Sequence, residues 1–224
     1  DRKKAWAAFG KSIAQNPLNL KTYFCAVISL FGRRGFDILK NLKDLRQRNA
    51  KETMSSQSIP YSEMDKDKFS YGKNWANYSK NALDEKSLKI AEDSLLHFVP
   101  KEEYQEATFI DIGSGSGIFS LAALRHGAKE IFSVDVDESS LSTTKATKAK
   151  YAPDAENWNI NFGYILKEST VEHLKEKGDI VYSWGVLMAT GDMYKAFDNI
   201  VELVKPGGHL IIAVYNRTPS SEFW

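Results

Sequence analysis

From residue 69 onward, short apolar runs alternate with stretches in which apolar residues recur at helical spacing. The apolar runs predict strands at 108–112, 131–135, 158–165, 180–184 and 209–215. The helical spacing predicts helices near 84–98, 118–125, 138–151, 170–175 and 192–204. Strands that alternate with helices form βαβ units, so we expect an α/β fold with a doubly wound, mostly parallel sheet. Right-handed crossovers then place the carboxyl ends of the strands at one edge, where ligands bind.

Residues 1–48 follow a different pattern, which predicts an N-terminal helical segment. Apolar residues keep helical spacing through 6–13 and again through 20–31, and Pro17 separates the two stretches. A third stretch, 36–45, places apolar residues on one stripe among basic residues. That basic face is either a solvated surface or a surface that meets a membrane or a partner.

Residues 49–68 are polar and lack a long apolar period, which predicts a linker ahead of a domain over 69–224. The chain begins at Asp1 rather than at methionine, and we expect it to be a piece of a longer polypeptide.

Composition narrows the class of protein. The net charge of +1 provides no overall field that would attract nucleic acid or anionic lipid. The single cysteine, Cys25, excludes an internal disulfide framework and a cysteine-rich zinc site, and it fits a reducing cytoplasm. No apolar run approaches the roughly 18 residues of a membrane span. We therefore expect a cytoplasmic protein without a transmembrane segment, a nucleic-acid partner or a metal.

A glycine-rich turn, "GSGSG" over 113–117, joins the first predicted strand of this domain to a helix. Gly113, Gly115 and Gly117 allow positive φ and let a ligand approach the backbone, and the helix directs free N–H groups toward the bend. The spacing is G-x-G-x-G and does not fit the dinucleotide fingerprint G-x-G-x-x-G. A tight turn needed only for packing is the alternative interpretation.

Asp135 ends the second predicted strand, 18 residues after Gly117. A carboxylate there can accept hydrogen bonds from both hydroxyls of a ribose. Alternatively it caps the following helix, although Asp137 or Ser139 offers the same cap. A glycine-rich turn together with an acidic strand end indicates a cofactor that carries a nucleoside.

Four blocks in order, "DIGSGSGIFSLAA", "VDVDESSL", "DIVYSWGVLMATGDMYKAFDNI" and "VKPGGHLIIAVYN", resemble class I S-adenosylmethionine-dependent methyltransferases. The block "FSYGKNW" over 69–75 resembles a subgroup found beside glycosyltransferases in bacterial surface-glycan gene clusters. Residues 1–48 resemble the helical end of such a glycosyltransferase, and a helical-repeat region is the alternative. The resemblance implies a Rossmann-like, seven-stranded fold with the cofactor across the strand ends. It also implies a glycosyltransferase in the same chain or complex as a partner.

The resemblance implies a cofactor site drawn from the glycine turn, the strand ends and the segment ahead of the first strand. Its members are Lys73, Trp75, Asp111, Gly113, Ser114, Gly115, Gly117, Asp135, Val136, Tyr164, Ile165, Ser183 and Trp184.

Each part of that set has an implied role. Asp111 and the glycine turn hold the methionine end of the cofactor, and Asp135 takes the ribose diol. Lys73 pairs with the cofactor carboxylate, while Trp75 either closes the site or is only lid packing.

The other end of the site follows the same resemblance. Val136 flanks the adenine, and Tyr164 and Ile165 border its other side. Ser183 and Trp184 line the reaction centre.

Three departures from the subgroup affect the expected chemistry. Met188 and Ala189 stand where the subgroup has two histidines, and Tyr164 and Lys167 replace a small residue and an acid. The last two strands of the fold are expected beyond Trp224. No general base is therefore named, and the four histidines, His97, His126, His173 and His209, fall where structural roles are expected.

Three functions stay open at this point. The first is methyl transfer to a small-molecule or glycan acceptor, at oxygen. The second is a catalytically impaired cofactor-binding module that assembles with a glycosyltransferase. The third is a nucleotide-dependent oxidoreductase, which the glycine spacing disfavours. No [DN]-P-P-[YF] block follows the fourth strand, which argues against methylation of a nucleobase amine.

Overall fold

The computed structural model describes residues 24–29 and 72–214. The rest of the predicted helical segment, the predicted linker and residues 215–224 lie outside the described residues. The boundaries predicted at residues 48 and 68 therefore stay predictions.

One sheet forms the centre of the described part. Its strands are Phe24–Ser29 (β1), Thr108–Ile112 (β2), Glu130–Asp135 (β3), Trp158–Phe162 (β4), Gly178–Trp184 (β5) and Val204–Val214 (β6). Their order across the sheet is β1-β6-β5-β2-β3-β4. The pairs β2–β3, β2–β5, β3–β4 and β5–β6 are parallel. The chain moves outward from β2 to β4 and then returns to the other side of β2, so the order reverses at β2. The predicted α/β fold is confirmed.

The α-helices of residues 72–214 connect these strands. They are Gly72–Asn81 (α1), Glu85–Leu96 (α2), Ile118–Arg125 (α3), Glu138–Tyr151 (α4), Glu168–Leu174 (α5) and Met193–Glu202 (α6). A capping box begins α2, because the Asp84 carboxylate accepts from the Ser87 N–H at 2.7 Å and the Ser87 hydroxyl accepts from the Asp84 N–H at 2.9 Å.

The sheet has a separate apolar layer on each face. Phe109 of β2 faces one layer, to which α2 and α3 contribute Leu88 and Leu121. Ile110, the next residue, faces the other layer, which includes Ile200 of α6. Burial on both faces explains why β2 is an apolar run rather than an alternating strand.

The structure corrects the helical pattern predicted over 20–31, because Phe24–Ser29 forms β1 next to β6. The sequence of β1, "FCAVIS", contains an aromatic and two β-branched residues, which favour a strand. Its apolar residues fit helical spacing as well, and such a short segment forms a strand when a neighbouring strand is available to pair with it. Cys25, predicted to lie outside the domain, is part of this strand.

The strand predicted at 209–215 begins earlier than expected, because β6 starts at Val204 and includes Pro206, Gly207 and Gly208. The pairing of β5 with β6 shifts register at this point, between Gly178 and Ile180. A Cβ on Gly208 would lie 2.8 Å from the carbonyl oxygen of Asp179, so glycine permits the close approach of the two strands.

Leu88→Ala in α2 should lower the free energy of unfolding by about 2–5 kcal/mol, because it leaves a cavity. The Leu88 side chain is fully buried, whereas Ile90 of the same helix is 63% exposed. The matched control Ile90→Ala should change the free energy by less than about 0.5 kcal/mol. Urea unfolding of both variants measures this, and equal losses would contradict the orientation of α2.

Candidate functional site

The turn between β2 and α3 holds its three glycines in the left-handed conformation. The φ angles are +79° at Gly113, +56° at Gly115 and +75° at Gly117. The N–H groups of Gly113 and Ser114 both donate to the Val134 carbonyl, at 2.7 and 3.2 Å, and extend the contact of β2 with β3. Other residues are strained at these angles, so the turn requires glycine on backbone grounds alone.

Each of these glycines also makes room for a side chain of the protein. A Cβ on Gly115 would lie 2.7 Å from the indole of Trp75, and a Cβ on Gly117 would lie 2.7 Å from Thr144 Cγ2. A Cβ on Gly113 would collide with Val186, which follows β5. At each of the three glycines, close packing of a neighbouring side chain is thus a second reason why the turn requires glycine.

Two threonines of α4 bind the backbone of the same turn. The Thr144 hydroxyl donates to the Gly115 carbonyl at 3.1 Å, and the Thr147 hydroxyl donates to the Ser116 carbonyl at 2.7 Å. Sequence reasoning missed both residues, although their spacing of three in a helix places them on one face.

Asp135 lies at the carboxyl end of β3, directly beside the turn. Its carboxylate accepts from the Gly115 N–H and from the Asp137 N–H, each at 3.0 Å. Asp137, not Asp135, caps α4, because its carboxylate accepts from the Ser139 N–H at 3.2 Å. Burial raises the pKa of Asp135, and the backbone donors partly oppose that rise. The two bonds use different oxygens, Oδ2 for Gly115 and Oδ1 for Asp137, and the Val136 N–H also acts on this carboxylate.

Asp111 is a buried carboxyl at the end of a chain of hydrogen bonds. The Trp158 indole N–H donates to the Ser133 hydroxyl at 2.8 Å, which contacts the Ser120 hydroxyl at 2.6 Å. The Ser120 hydroxyl donates to Asp111 at 2.6 Å. Burial, which outweighs the Ser120 bond, raises the pKa of Asp111 to about 7, and the neighbouring charge of Asp135 adds to the rise. Sequence reasoning missed Ser120 and Ser133, whose spacing carries no motif.

Ser183 and Trp184 are the last two residues of β5. Ser183 is fully buried, and its hydroxyl donates to the Ile112 carbonyl at 3.0 Å, which joins β5 to β2. Trp184 is half-buried and stacks on Tyr182 with ring centroids 6.0 Å apart. Both residues lie at the predicted strand end.

The loop after β4 carries Tyr164 and Ile165, because β4 ends at Phe162 rather than at Ile165. Ile165 is buried against the α5–α6 layer, and its carbonyl accepts from the Asn199 side chain at 2.7 Å. Tyr164 is also buried, and its hydroxyl donates to the Thr190 carbonyl at 2.5 Å. Val136, next to Asp135, is half-buried.

The helix α1 carries the two N-terminal members of the predicted set and brings Trp75 to the turn. α1 packs against α4, and Lys73 and Trp75 lie in its first half. The Trp75 indole faces Gly115 and is 38% exposed.

The histidines of residues 72–214 lie away from the turn, in structural contacts. His97 and His126 bind backbone carbonyls at helix ends, His209 contacts Glu103, and His173 packs against Phe132. Across 24–29 and 72–214, His, Cys, Asp and Glu form no group of three that could hold a metal ion. In the same ranges no helix has the length and apolar character needed to cross a membrane.

The family described as Ribosomal protein L11 methyltransferase (PrmA) matches residues 85–214, which include the glycine turn and every strand from β2 to β6. The chain belongs to this family. The resemblance to class I S-adenosylmethionine-dependent methyltransferases and the cofactor it implies are thereby confirmed.

Two curated relatives and one solved structure match parts of the chain. The chain is 30% identical over 119 residues to a Ribosomal protein L11 methyltransferase of Streptococcus thermophilus, covering 46% of this chain and 37% of the relative. It is 28% identical over 112 residues to a Ubiquinone biosynthesis O-methyltransferase of Acinetobacter baylyi, covering 50% and 45%. The chain thus spans less than half the length of either relative. A putative S-adenosyl-L-methionine-dependent methyltransferase from Methanococcus maripaludis shares the fold, with a TM-score of 0.53 and 24% identity over 72% of this chain and 68% of that chain.

Asp111→Asn should change how stability depends on pH. The pKa of Asp111 rises from 3.8 to about 7 on folding, so its contribution is full below pH 3.8 and is lost as pH rises through about 7. Asparagine stays neutral at every pH, so at pH 8 the free energy of unfolding of Asp111→Asn should exceed that of the native protein by about 4 kcal/mol. Urea unfolding from pH 4 to 8 measures the difference. Asp154→Asn, at an exposed aspartate, is the control, and parallel curves for Asp111→Asn and the native protein would contradict the buried carboxyl.

Gly117→Ala should lower the free energy of unfolding by about 2–3 kcal/mol, from the positive φ and the collision with Thr144. Thr144→Ser deletes the colliding Cγ2 and keeps the hydroxyl that binds Gly115. The double variant should recover roughly 1 kcal/mol of the loss. A double-mutant cycle by thermal unfolding measures the recovery, and strict additivity would show that Thr144 does not fill this space.

Proposed function

We propose that this chain binds S-adenosylmethionine along the carboxyl ends of β2, β3 and β4 and transfers its methyl group to a small-molecule or glycan acceptor, at oxygen. The observation that carries the proposal is the Asp135 carboxylate beside the Gly115 turn, at the point where the strand order reverses. Ligands of doubly wound sheets bind at such a point.

The chemistry of the donor set supports this cofactor. Asp111 and Asp135 place two buried carboxyls near one turn, an arrangement suited to a ligand that carries sulfonium and ammonium charges. A carboxylate at this strand end, as at Asp135, can accept from the two hydroxyls of a ribose. The residues present therefore fit S-adenosylmethionine.

The remaining contacts follow from where the other residues lie. Asp111 with the turn over 113–117, including Ser114, would hold the methionine end, which Lys73 and Trp75 of α1 would close. Val136 after β3 and Ile165 after β4 would flank the adenine. Trp184, at the end of β5, would line the reaction centre.

When bound, S-adenosylmethionine supplies an electrophilic methyl group and its leaving group. The chain then has to hold the acceptor in line with that methyl group. Residues 185–191, which follow β5, include no side chain that titrates near neutral pH. Methyl transfer here would depend on positioning, and an acceptor that is already anionic, such as a carboxylate, suits it best.

The acceptor class has two candidates. The missing [DN]-P-P-[YF] block and the subgroup resemblance of "FSYGKNW" support a small molecule or glycan rather than a nucleobase. The family match over 85–214 favours a second candidate, a protein acceptor such as ribosomal protein L11. The alternative to both is a cofactor-binding module with impaired turnover, which the Met188 and Ala189 positions support.

A glycosyltransferase in the same chain or complex is the proposed partner, and the cytoplasm is the proposed location. The first rests on the resemblance of residues 1–48, and the second on the single cysteine.

Asp135→Asn should weaken S-adenosylmethionine binding by about 1–3 kcal/mol, because the ribose hydroxyls lose a charged acceptor. Asp137→Asn is the matched control, since asparagine keeps the cap of α4 and should leave affinity unchanged. Isothermal calorimetry measures both variants. If folded Asp135→Asn binds S-adenosylmethionine as tightly as the native protein, Asp135 does not bind the ribose.

The acceptor is tested by mass spectrometry with S-adenosylmethionine that carries an isotope-labelled methyl group. The reactions contain nucleotide sugars, lipid-linked glycans, small carboxylic and hydroxy acids, or ribosomal protein L11. Labelled small molecule or glycan supports the first proposal, and labelled L11 replaces it with the second. Cofactor binding without any labelled product supports the impaired module.

A further inference from the structure

We infer that Tyr164 is a positioning residue rather than an adenine contact. It would hold the acceptor loop, defined as residues 185–190, against the adenine side of the cofactor site. The inference rests on the proposed function, because the loop has an acceptor only if methyl transfer occurs here.

The hydrogen bond from the Tyr164 hydroxyl to the Thr190 carbonyl carries the inference. The bond is 2.5 Å long, and both residues are buried, with 9% and 5% of their surface exposed. The two residues are 26 positions apart, one after β4 and the other after β5. The bond therefore joins two loops that the chain does not connect directly.

Hydrogen bonds of its backbone N–H and carbonyl fix the position of Tyr164. Its N–H donates to the Thr170 hydroxyl at 3.2 Å, and its carbonyl accepts from the Lys167 N–H at 2.8 Å. The neighbouring Ile165 carbonyl is bound by Asn199 of α6. A side chain anchored in this way gives its hydroxyl a fixed position, which suits a tether.

The acceptor loop has its own anchor at the other end. Gly185 continues the pairing with β6, since its N–H donates to the Ala213 carbonyl at 2.9 Å, and Val186 fills the space above Gly113. The loop is thus fastened to the glycine turn through Val186 and to the adenine side through Thr190. Met188 and Ala189, the two positions expected beside the acceptor, lie between these two anchors.

This arrangement explains why a large aromatic residue stands where the resembled subgroup has a small one. Because its hydroxyl binds the Thr190 carbonyl, Tyr164 would act on the cofactor site indirectly, by fixing the position of the acceptor loop. We therefore expect loss of the hydroxyl to loosen the acceptor loop and slow methyl transfer, with little effect on cofactor affinity.

The test uses Tyr164→Phe, which removes only the hydroxyl. Tyr104→Phe is the matched control, because Tyr104 is also buried and its hydroxyl also donates to a backbone carbonyl, that of Leu95, at 3.2 Å. Amide hydrogen exchange of residues 186–190 is measured first, on the protein without cofactor. We expect exchange about tenfold faster in Tyr164→Phe and unchanged there in Tyr104→Phe.

Calorimetry and single-turnover methyl transfer complete the test. We expect S-adenosylmethionine affinity within about threefold of the native protein and a transfer rate about tenfold lower. Unchanged loop exchange in Tyr164→Phe would overturn the inference. Affinity reduced more than about tenfold would overturn it too, because the Tyr164 hydroxyl would then act on the cofactor itself. A native protein that binds no S-adenosylmethionine refutes the proposed function, while the exchange measurement still decides whether Tyr164 holds the loop.

Discussion

The left-handed glycine turn between β2 and α3 determines how the surrounding elements meet. Its three glycines have no Cβ atoms, so Trp75 of α1, Thr144 of α4 and Val186 after β5 approach the backbone more closely than a residue with a Cβ would permit. Elements from distant parts of the chain therefore converge on one bend. The same bend presents the Gly115 N–H to Asp135, so packing and the candidate cofactor site depend on a single backbone conformation.

Burying two carboxyls beside this turn has an electrostatic consequence. The fold stabilises Asp135 with backbone donors and Asp111 with the Ser120 hydroxyl, yet burial still raises the pKa of both. A buried carboxyl of this kind is stabilised by a nearby cation. The site is therefore better matched to a cationic ligand than to an anionic dinucleotide, which agrees with the glycine spacing.

The sequence predicted the parts of this protein that follow a regular pattern. The strands from β2 to β6 could be read from apolar runs, and Gly113 to Gly117 and Asp135 from their places at strand ends. It did not predict β1, since "FCAVIS" fits both helical and strand spacing and only the neighbouring β6 decides between them. It also did not predict what Ser183 and Tyr164 bind, because their carbonyl partners lie 71 and 26 residues away.

The central claim is that the turn and Asp135 form a site for S-adenosylmethionine. Calorimetric titration of the folded native chain with S-adenosylmethionine, and in parallel with NAD⁺, tests it most directly. The account predicts saturable binding of one S-adenosylmethionine per chain and no comparable binding of NAD⁺. Saturable binding of NAD⁺, or no saturable heat with S-adenosylmethionine, would contradict it.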